Sequence, residues 1–284
     1  MIELPLNVFF EALRTKMGDV VASTEGIAAV STTPVLPEPK HLPEPQHLRE
    51  PQDLSGLVIV VAGAAGAAGP PLVERLVAAG ATVVAAGSNR DRIEAVVADI
   101  SGRMPSGRVH AVVVDLLDEQ ATRDWATLVE SEHGRVDGLV HLVGGWRGGA
   151  GIVDTDLADW NWLQDMLIRT LQHTSRAFHD AIRASPRGRL VLISTVQTSA
   201  PTATNASYAA AKAAAETWTL AVADSFKDSA AAAVILQITA LLTPAMRAAR
   251  PDATFAGYTP VDELADTIHD LWLTPAAELN GRRL

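Results

Sequence analysis

The sequence predicts an α/β domain built on a doubly wound parallel sheet, and three observations carry that prediction. Six short runs between residues 57 and 240 are β-branched and almost continuously apolar, the pattern of strands buried on both faces. Segments with helical spacing separate them, and strand–helix alternation makes a parallel sheet with right-handed crossovers. The first run ends in a glycine-rich turn, GAAGAAG at 63–69, where ligands of such sheets bind beyond the carboxyl ends of the strands.

The elements follow in order. Residues 1–53 stand outside the alternation. LPLNVFFEALRTKMGDVV can place Leu6, Phe9, Phe10, Leu13 and Met17 on one helical face. That face suits packing on its own domain or on a second subunit; docking to a different partner and disorder are the alternatives. The hexapeptide repeat LPEPKH–LPEPQH–LREPQD at 36–53 then favours an extended, stiff spacer, because its prolines exclude helix and sheet. A single domain is expected over 54–284. Its strands are expected at 57–63, 81–87, 108–116, 136–144, 188–195 and 232–240. Its helices are expected in PLVERLVAAG, RDRIEAVVADI, QATRDWATLVESEH and a long segment from Asp159 to Ala184.

Composition narrows the function. At 284 residues a sizeable core is easily buried, and a net charge of -10 argues against a nucleic-acid footprint. The chain has no cysteine, hence no disulfide and no thiolate zinc site. No run of about 18 apolar residues and no secretory leader is present, so a cytoplasmic protein with a small-molecule partner, and no membrane partner, is expected. No metal is expected: His173 and His179 are six apart and do not share a helix face. Asp154, Asp156 and Asp159 suit the capping of a helix start. Trp160 and Trp162 suit packing in the core or at a subunit interface more than substrate contact.

Gly63, Gly66 and Gly69, with Ala67 and Ala68 between them, join a strand to a helix opened by Pro70 and Pro71. That context allows a tight turn, close approach of backbone to a pyrophosphate, and a positive helix end. A dinucleotide is the expected ligand. After the second strand stand Ser88, Asn89, Arg90 and Arg92, with no acid at 85–90. Donors and cations accommodate a 2′-phosphate, so NADP(H) is favoured over NAD(H). The alternative is that the arginines are solvated charges at a helix start. After the third strand, Asp115 beside Leu116 can bond an adenine amine.

Tyr208 and Lys212 are four apart in an alanine-rich helix and share a face. Tyrosine has an ordinary pKa of about 10, and a cation one turn away favours the phenolate. A hydroxyl at Ser194 or Thr195, on the end of the fifth strand, can hold a carbonyl oxygen. Together these suit proton donation to a carbonyl as hydride arrives from nicotinamide.

With these residues in place, the chain resembles the short-chain dehydrogenase/reductase family from about residue 56 onward. The resemblance rests on GAAGAAG, Asp115, LVGG, Tyr208-x-x-x-Lys212 and Thr243-Pro244-Ala245-Met246. It implies a Rossmann fold with tyrosine as acid/base, lysine on the nicotinamide ribose, and Thr243 on the carboxamide. Val143, Gly144 and Gly145 would lie against the cofactor. It further implies a homodimer or homotetramer, and a lid over the substrate from Thr243 to Tyr258 that includes Met246.

The chain departs from the family in several places. The glycines are spaced G-x-x-G-x-x-G, and the family's N-N-A-G reads His141-Leu142-Val143-Gly144. The helical asparagine of the family's proton relay falls near Leu167. The catalytic serine position is Thr195, beside Ser194, and the proline-glycine after the sixth strand reads Thr239-Ala240. A narrower likeness, to dihydropteridine reductases, lies in Val143–Gly149, in Tyr258-Thr259-Pro260 and in His269-Asp270-Leu271-Trp272. It implies a quinonoid, imine-like substrate, but the chain departs from that branch at Ser194-Thr195 and at the second strand, which lacks an acid. From its place after the fourth strand, Trp146 can stack on a flat conjugated ring and Arg147 can pair with an anionic or enolate-like oxygen; the alternative is that Trp146 plugs the loop and Arg147 is solvated. A catalytically idle NADP(H)-binding sensor or scaffold is the competing reading.

Overall fold

The computed structural model describes residues 53–284. The N-terminal helix and nearly all of the proline-rich spacer expected over 1–53 lie outside the described residues. The core of the fold is a six-stranded parallel sheet in the order β3-β2-β1-β4-β5-β6. Its strands are β1 (Val58–Ala62), β2 (Thr82–Gly87), β3 (Arg108–Val113), β4 (Gly138–His141), β5 (Arg189–Thr195) and β6 (Ala232–Ile238). The expected strands are all present, but the third and fourth end three residues early, at Val113 and His141. A separate two-stranded parallel ladder pairs β7 (Ala240–Leu242) with β8 (Tyr258–Pro260). It ties together the two ends of the segment read as a lid.

The continuous apolar runs are explained by burial on both sides. Along β1, Ile59 and Val61 face one core while Val58, Val60 and Ala62 face the other. The first core is closed by α1 (Gly69–Ala78) and α9 (Val261–Asp270), through Leu72, Leu76, Leu264 and Ile268. Trp272 lies over Gly138, where its ring leaves no room for a side chain. The second core takes Trp125 and Val129 from α3 (Glu119–His133), Phe178, and Val222 and Ala223 from α7 (Ala206–Ser225). Trp125 and Phe178 meet edge to face, with centroids 4.9 Å apart. Helix α2 (Arg90–Arg103) packs Ile93 and Ile100 beside β2. Asn89 caps it by accepting from the amide of Arg92 at 2.9 Å.

The single long helix expected from Asp159 to Ala184 is four consecutive pieces. These are α4 (Leu157–Leu163), a π-helical turn (Gln164–Arg169), α5 (Thr170–Ala177) and α6 (His179–Ala184), with Phe178 at the last break. Asp156 caps the start, accepting from the amide of Ala158 at 2.8 Å, as its place in the sequence predicts. Among the described residues, no helix is long and apolar enough to cross a membrane, and no cluster of three or more metal-type side chains is present.

The strand order reverses between β1 and β4. The crevice beyond their carboxyl ends is the place where such sheets take a ligand. At the opposite ends of the strands, the buried carboxylate of Asp137 accepts from the amide of Val58 at 2.9 Å, from Ser185 at 2.5 Å and from both sides of the Arg135 fork. The polar network at that end serves the fold.

Candidate active site

The glycine turn after β1 is shaped by contact. Gly63 has φ +80, and a Cβ there would stand 2.9 Å from the amide of Val143, the loop leaving β4. A Cβ on Gly69 would run into the backbone of Ala64, whereas one on Gly66 would meet only the carbonyl of Gly63 at 3.2 Å. Gly63 and Gly69 are therefore steric necessities, and Gly66 is not. Helix α1 has no side-chain cap at Ala68. Pro70 and Pro71 have no N–H, and the amide of Gly69 is spent on Gly66. The turn amides without a partner among the described residues are those of Ala65, Ala67 and Ala68, and these are left to meet a phosphate.

The group after β2 is split by its own contacts. Asn89 is occupied in capping, and the Arg92 guanidinium donates to the carbonyl of Ala65 at 2.6 Å, bracing the glycine turn. Ser88 is exposed, and Arg90 is exposed with only a surface pair to Glu94 at 2.8 Å. After β3, Asp115 is exposed and bonds the amide of Leu117 at 2.9 Å, while Leu116 is buried.

Beyond β4, Gly144 and Gly145 are exposed backbone. A Cβ on Gly144 would lie 3.6 Å from the Leu167 side chain and 4.0 Å from Lys212 Nζ, so this loop and Lys212 are neighbours. A Cβ on Gly145 would run into the Trp162 ring, which explains the glycine. The Arg147 guanidinium lies 4.4 Å from the centre of that same ring and bonds Asp159 at 3.0 Å. Arg147 is thus partly exposed but already paired with Asp159 and stacked on Trp162. Trp146 is 57% exposed. The loop is pinned once more where Gly149 N donates to Thr204 O at 2.8 Å.

Helix α7 carries Tyr208 and Lys212 one turn apart. Lys212 is buried, and its Nζ donates to the carbonyl of Ile193 on β5 at 2.8 Å. Burial pulls its pKa down to about 8, against the opposing field of Glu216. Tyr208 packs among Leu163, Leu167 and Ala211, with Trp160 and Trp162 in the same cluster. The pKa of Tyr208 is raised, not lowered as the nearby cation suggests, because desolvation in that apolar setting dominates. Of the two hydroxyls ending β5, that of Ser194 is consumed: it donates to Glu216 Oε1 at 2.6 Å. Thr195, on the opposite face of the strand, accepts from the amide of Gln197 at 3.3 Å and keeps its own proton to give. Thr243 caps α8 (Pro244–Ala249), accepting from Met246 N at 3.1 Å.

A family model described as short chain dehydrogenase matches residues 57–254, most of the chain. The chain belongs to the short-chain dehydrogenase family. The short chain dehydrogenase pigC of Monascus ruber is 30% identical over 149 residues, covering 51% of this chain and 49% of that protein. The chain thus spans about half the length of that relative. A short-chain dehydrogenase/reductase of Mycobacterium ulcerans superposes with TM-score 0.74 at 21% identity, over 81% of this chain and 88% of that one. A short chain oxidoreductase of Pseudomonas aeruginosa, solved with NADPH and described as containing an atypical catalytic center, gives 0.73 at 23%, over 82% and 96%. These structures share the fold.

Leu167, near which the family's helical asparagine is expected, is 2% exposed and inside the π-helical turn. His141, at the first asparagine of the loop motif, is buried between Thr170 and Thr174, whose hydroxyls lie 3.3 and 3.2 Å from its two ring nitrogens. Burial and the nearby Lys212 push its pKa down to about 3, so it is a neutral strut. Sequence reasoning missed Glu216, although it lies four residues beyond Lys212 on the same helical face.

Proposed function

We propose that the protein is an NADP(H)-dependent reductase of a neutral, flat carbonyl or quinonoid compound, with Tyr208 as the acid. The observation that carries this reading is the placement of Tyr208 and the buried Lys212 on one face of α7, with Lys212 against the Gly144 loop at the switch point of the sheet. When bound, the cofactor supplies hydride from its nicotinamide. Burial keeps the Tyr208 phenol protonated, so it enters as a donor, and its proton goes to the substrate oxygen as carbon receives the hydride pair. The Lys212 ammonium stabilises the phenolate left behind. Thr195 takes the role of oxygen-holding hydroxyl, since Ser194 is engaged.

NADP(H) is favoured over NAD(H) because Arg90 and Ser88 are exposed after β2 and no acid stands there; the Pseudomonas aeruginosa relative was solved with NADPH. Gly63, Gly66, Ala67, Ala68 and Gly69 would take the pyrophosphate, Asp115 and Leu116 the adenine side, and Val143–Gly145, Lys212 and Thr243 the nicotinamide side. Trp146 and Met246 would wall the substrate. The flat, quinonoid class rests on the likeness to dihydropteridine reductases read in the sequence of the loop and C-terminal segments, to which the relatives above add nothing, and on the exposed Trp146. Its neutrality rests on Arg147, which Asp159 and Trp162 already satisfy.

The test is NADPH oxidation over a panel of neutral quinones and aryl ketones, dihydropterins, and carboxylated analogues of each. Neutral flat members should turn over best, and Tyr208→Phe should lose about 10²-fold or more while still binding NADPH. Full activity in Tyr208→Phe overturns the acid role. NADPH binding with no turnover of any member leaves the sensor or scaffold reading in its place.

A further inference from the structure

Glu216 is 3% exposed and makes more polar contacts than any role assigned above requires. Its Oε1 accepts from Ser194 at 2.6 Å, Thr198 at 3.1 Å and Gln237 at 3.0 Å. Its Oε2 accepts from the Arg283 guanidinium at 2.8 Å. The four donors come from the end of β5, the 3₁₀ turn that follows it (Val196–Thr198), the end of β6, and the Arg282–Leu284 segment laid along β6. A carboxylate bonded this fully stays ionised although buried, and its pKa is held below the usual value. It lies one helical turn beyond Lys212, which is itself buried and has one hydrogen bond, to a neutral carbonyl. Leu167 offers Lys212 no polar partner.

The groups around Lys212 are few. From its own helix come Tyr208 and Glu216, from β4 the neutral His141, and from the carboxyl end of β5 (residues 192–195) no titratable group; Arg189 is at the far end of that strand. On the π-helical turn, Asp165 and Arg169 pair with each other at 3.2 Å, half exposed. The Gly144 loop contributes Arg147, neutralised by Asp159. Glu216 is the buried carboxylate in this set; its Oε2 pairs with Arg283 at 2.8 Å, leaving Oε1 to neutral donors.

We propose that Glu216, held by Arg283, is a positioning residue for the reaction: the buried anion that sustains the charge of Lys212 and fixes the strand end bearing Thr195. The inference rests on the reductase reading only for its effect on turnover. Its effect on Lys212 is a property of the protein alone.

The lysines of the chain are Lys16, Lys40, Lys212 and Lys227, few enough to follow individually by ¹³Cε NMR. In the full chain, Lys212 should titrate near its lowered value of about 8. In Glu216→Gln the midpoint should fall by about 1 pH unit or more. Arg283→Gln leaves the Glu216 charge uncompensated and should move it the opposite way, up, and Arg283→Lys should hold it near the parent value. In Glu216→Gln the alkaline limb of kcat should move down with the midpoint, with the KM for NADPH little changed. An unmoved Lys212 midpoint in folded Glu216→Gln overturns the proposal, whatever the activity. If that variant does not fold, the Arg283→Gln and Arg283→Lys pair decides, since Arg283 is half-exposed; equal midpoints in both overturn it. A shifted Lys212 in a protein that turns over no substrate upholds this inference and removes the reductase reading.

Discussion

Arg147 and Arg90 carry the same group beyond the carboxyl ends of β4 and β2, and their surroundings give them different work. The Arg147 guanidinium stacks on Trp162 and bonds Asp159, so a substrate would have to break both contacts to recruit it. It serves the loop, holding Gly145 against Trp162 and leaving Trp146 outside. Arg90 has only an exposed i,i+4 pair with Glu94, which contributes at most a few tenths of a kcal/mol, about 0.3–0.5. A 2′-phosphate would displace that pair easily. A charge-assisted hydrogen bond of about 1.5–3 kcal/mol corresponds to roughly 10- to 150-fold in affinity. Arg90→Ala should therefore raise the Kd of NADPH at least about 10-fold and leave that of NADH almost unchanged, as titrated by nicotinamide fluorescence. Parallel losses for both cofactors would place Arg90 outside the phosphate site.

At the scale of elements, much was legible and some was not. The six strands could be read because burial on both faces leaves an unmistakable apolar run, and Tyr208 and Lys212 could be read because four residues make one helical turn. The π-helical turn could not: helical spacing continues through Gln164–Arg169, and the extra residue per turn shows only in hydrogen bonding. Nor could the partners of Glu216, since Arg283 is 67 residues away in sequence. The parity of Ser194 and Thr195 was visible, but not which of them faced the helix. The glycine turn shows the same division. Its three glycines look alike in sequence, yet only Gly63 and Gly69 have backbone where a Cβ would stand. Gly69→Ala should force α1 away from β1 and cost about 1–3 kcal/mol, read as a lower midpoint in urea. Gly66→Ala should cost less than about 1 kcal/mol, within its ordinary helix and turn preferences. Equal losses in the two would mean that the spacing, not the contact, is what matters.

For the molecule as a whole, His141 links the site to stability through pH. Its folded-state pKa is depressed to about 3, from an ordinary value of 6.5, by burial and by Lys212. Above 6.5 neither state binds the proton, and its contribution to stability is complete. Below 6.5 the unfolded chain takes up a proton that the folded chain refuses, so stability falls as pH drops, until the folded-state pKa is reached. At pH 5 this linkage amounts to about 2 kcal/mol, from 1.36 kcal/mol per pH unit. Glu216 has a depressed pKa as well, but a carboxylate of ordinary value 4.5 loses its contribution only at lower pH, outside the interval from 4.5 to 6.5. His141→Asn places there the residue that the family pattern carries, with an amide able to bond Thr170 and Thr174 and no proton to gain. Denaturant unfolding of the parent should lose about 2 kcal/mol more than His141→Asn between pH 7 and pH 5. The same fall in both proteins would mean that His141 takes up its proton in the fold, and that the threonines and the neighbouring Lys212 do not keep it neutral.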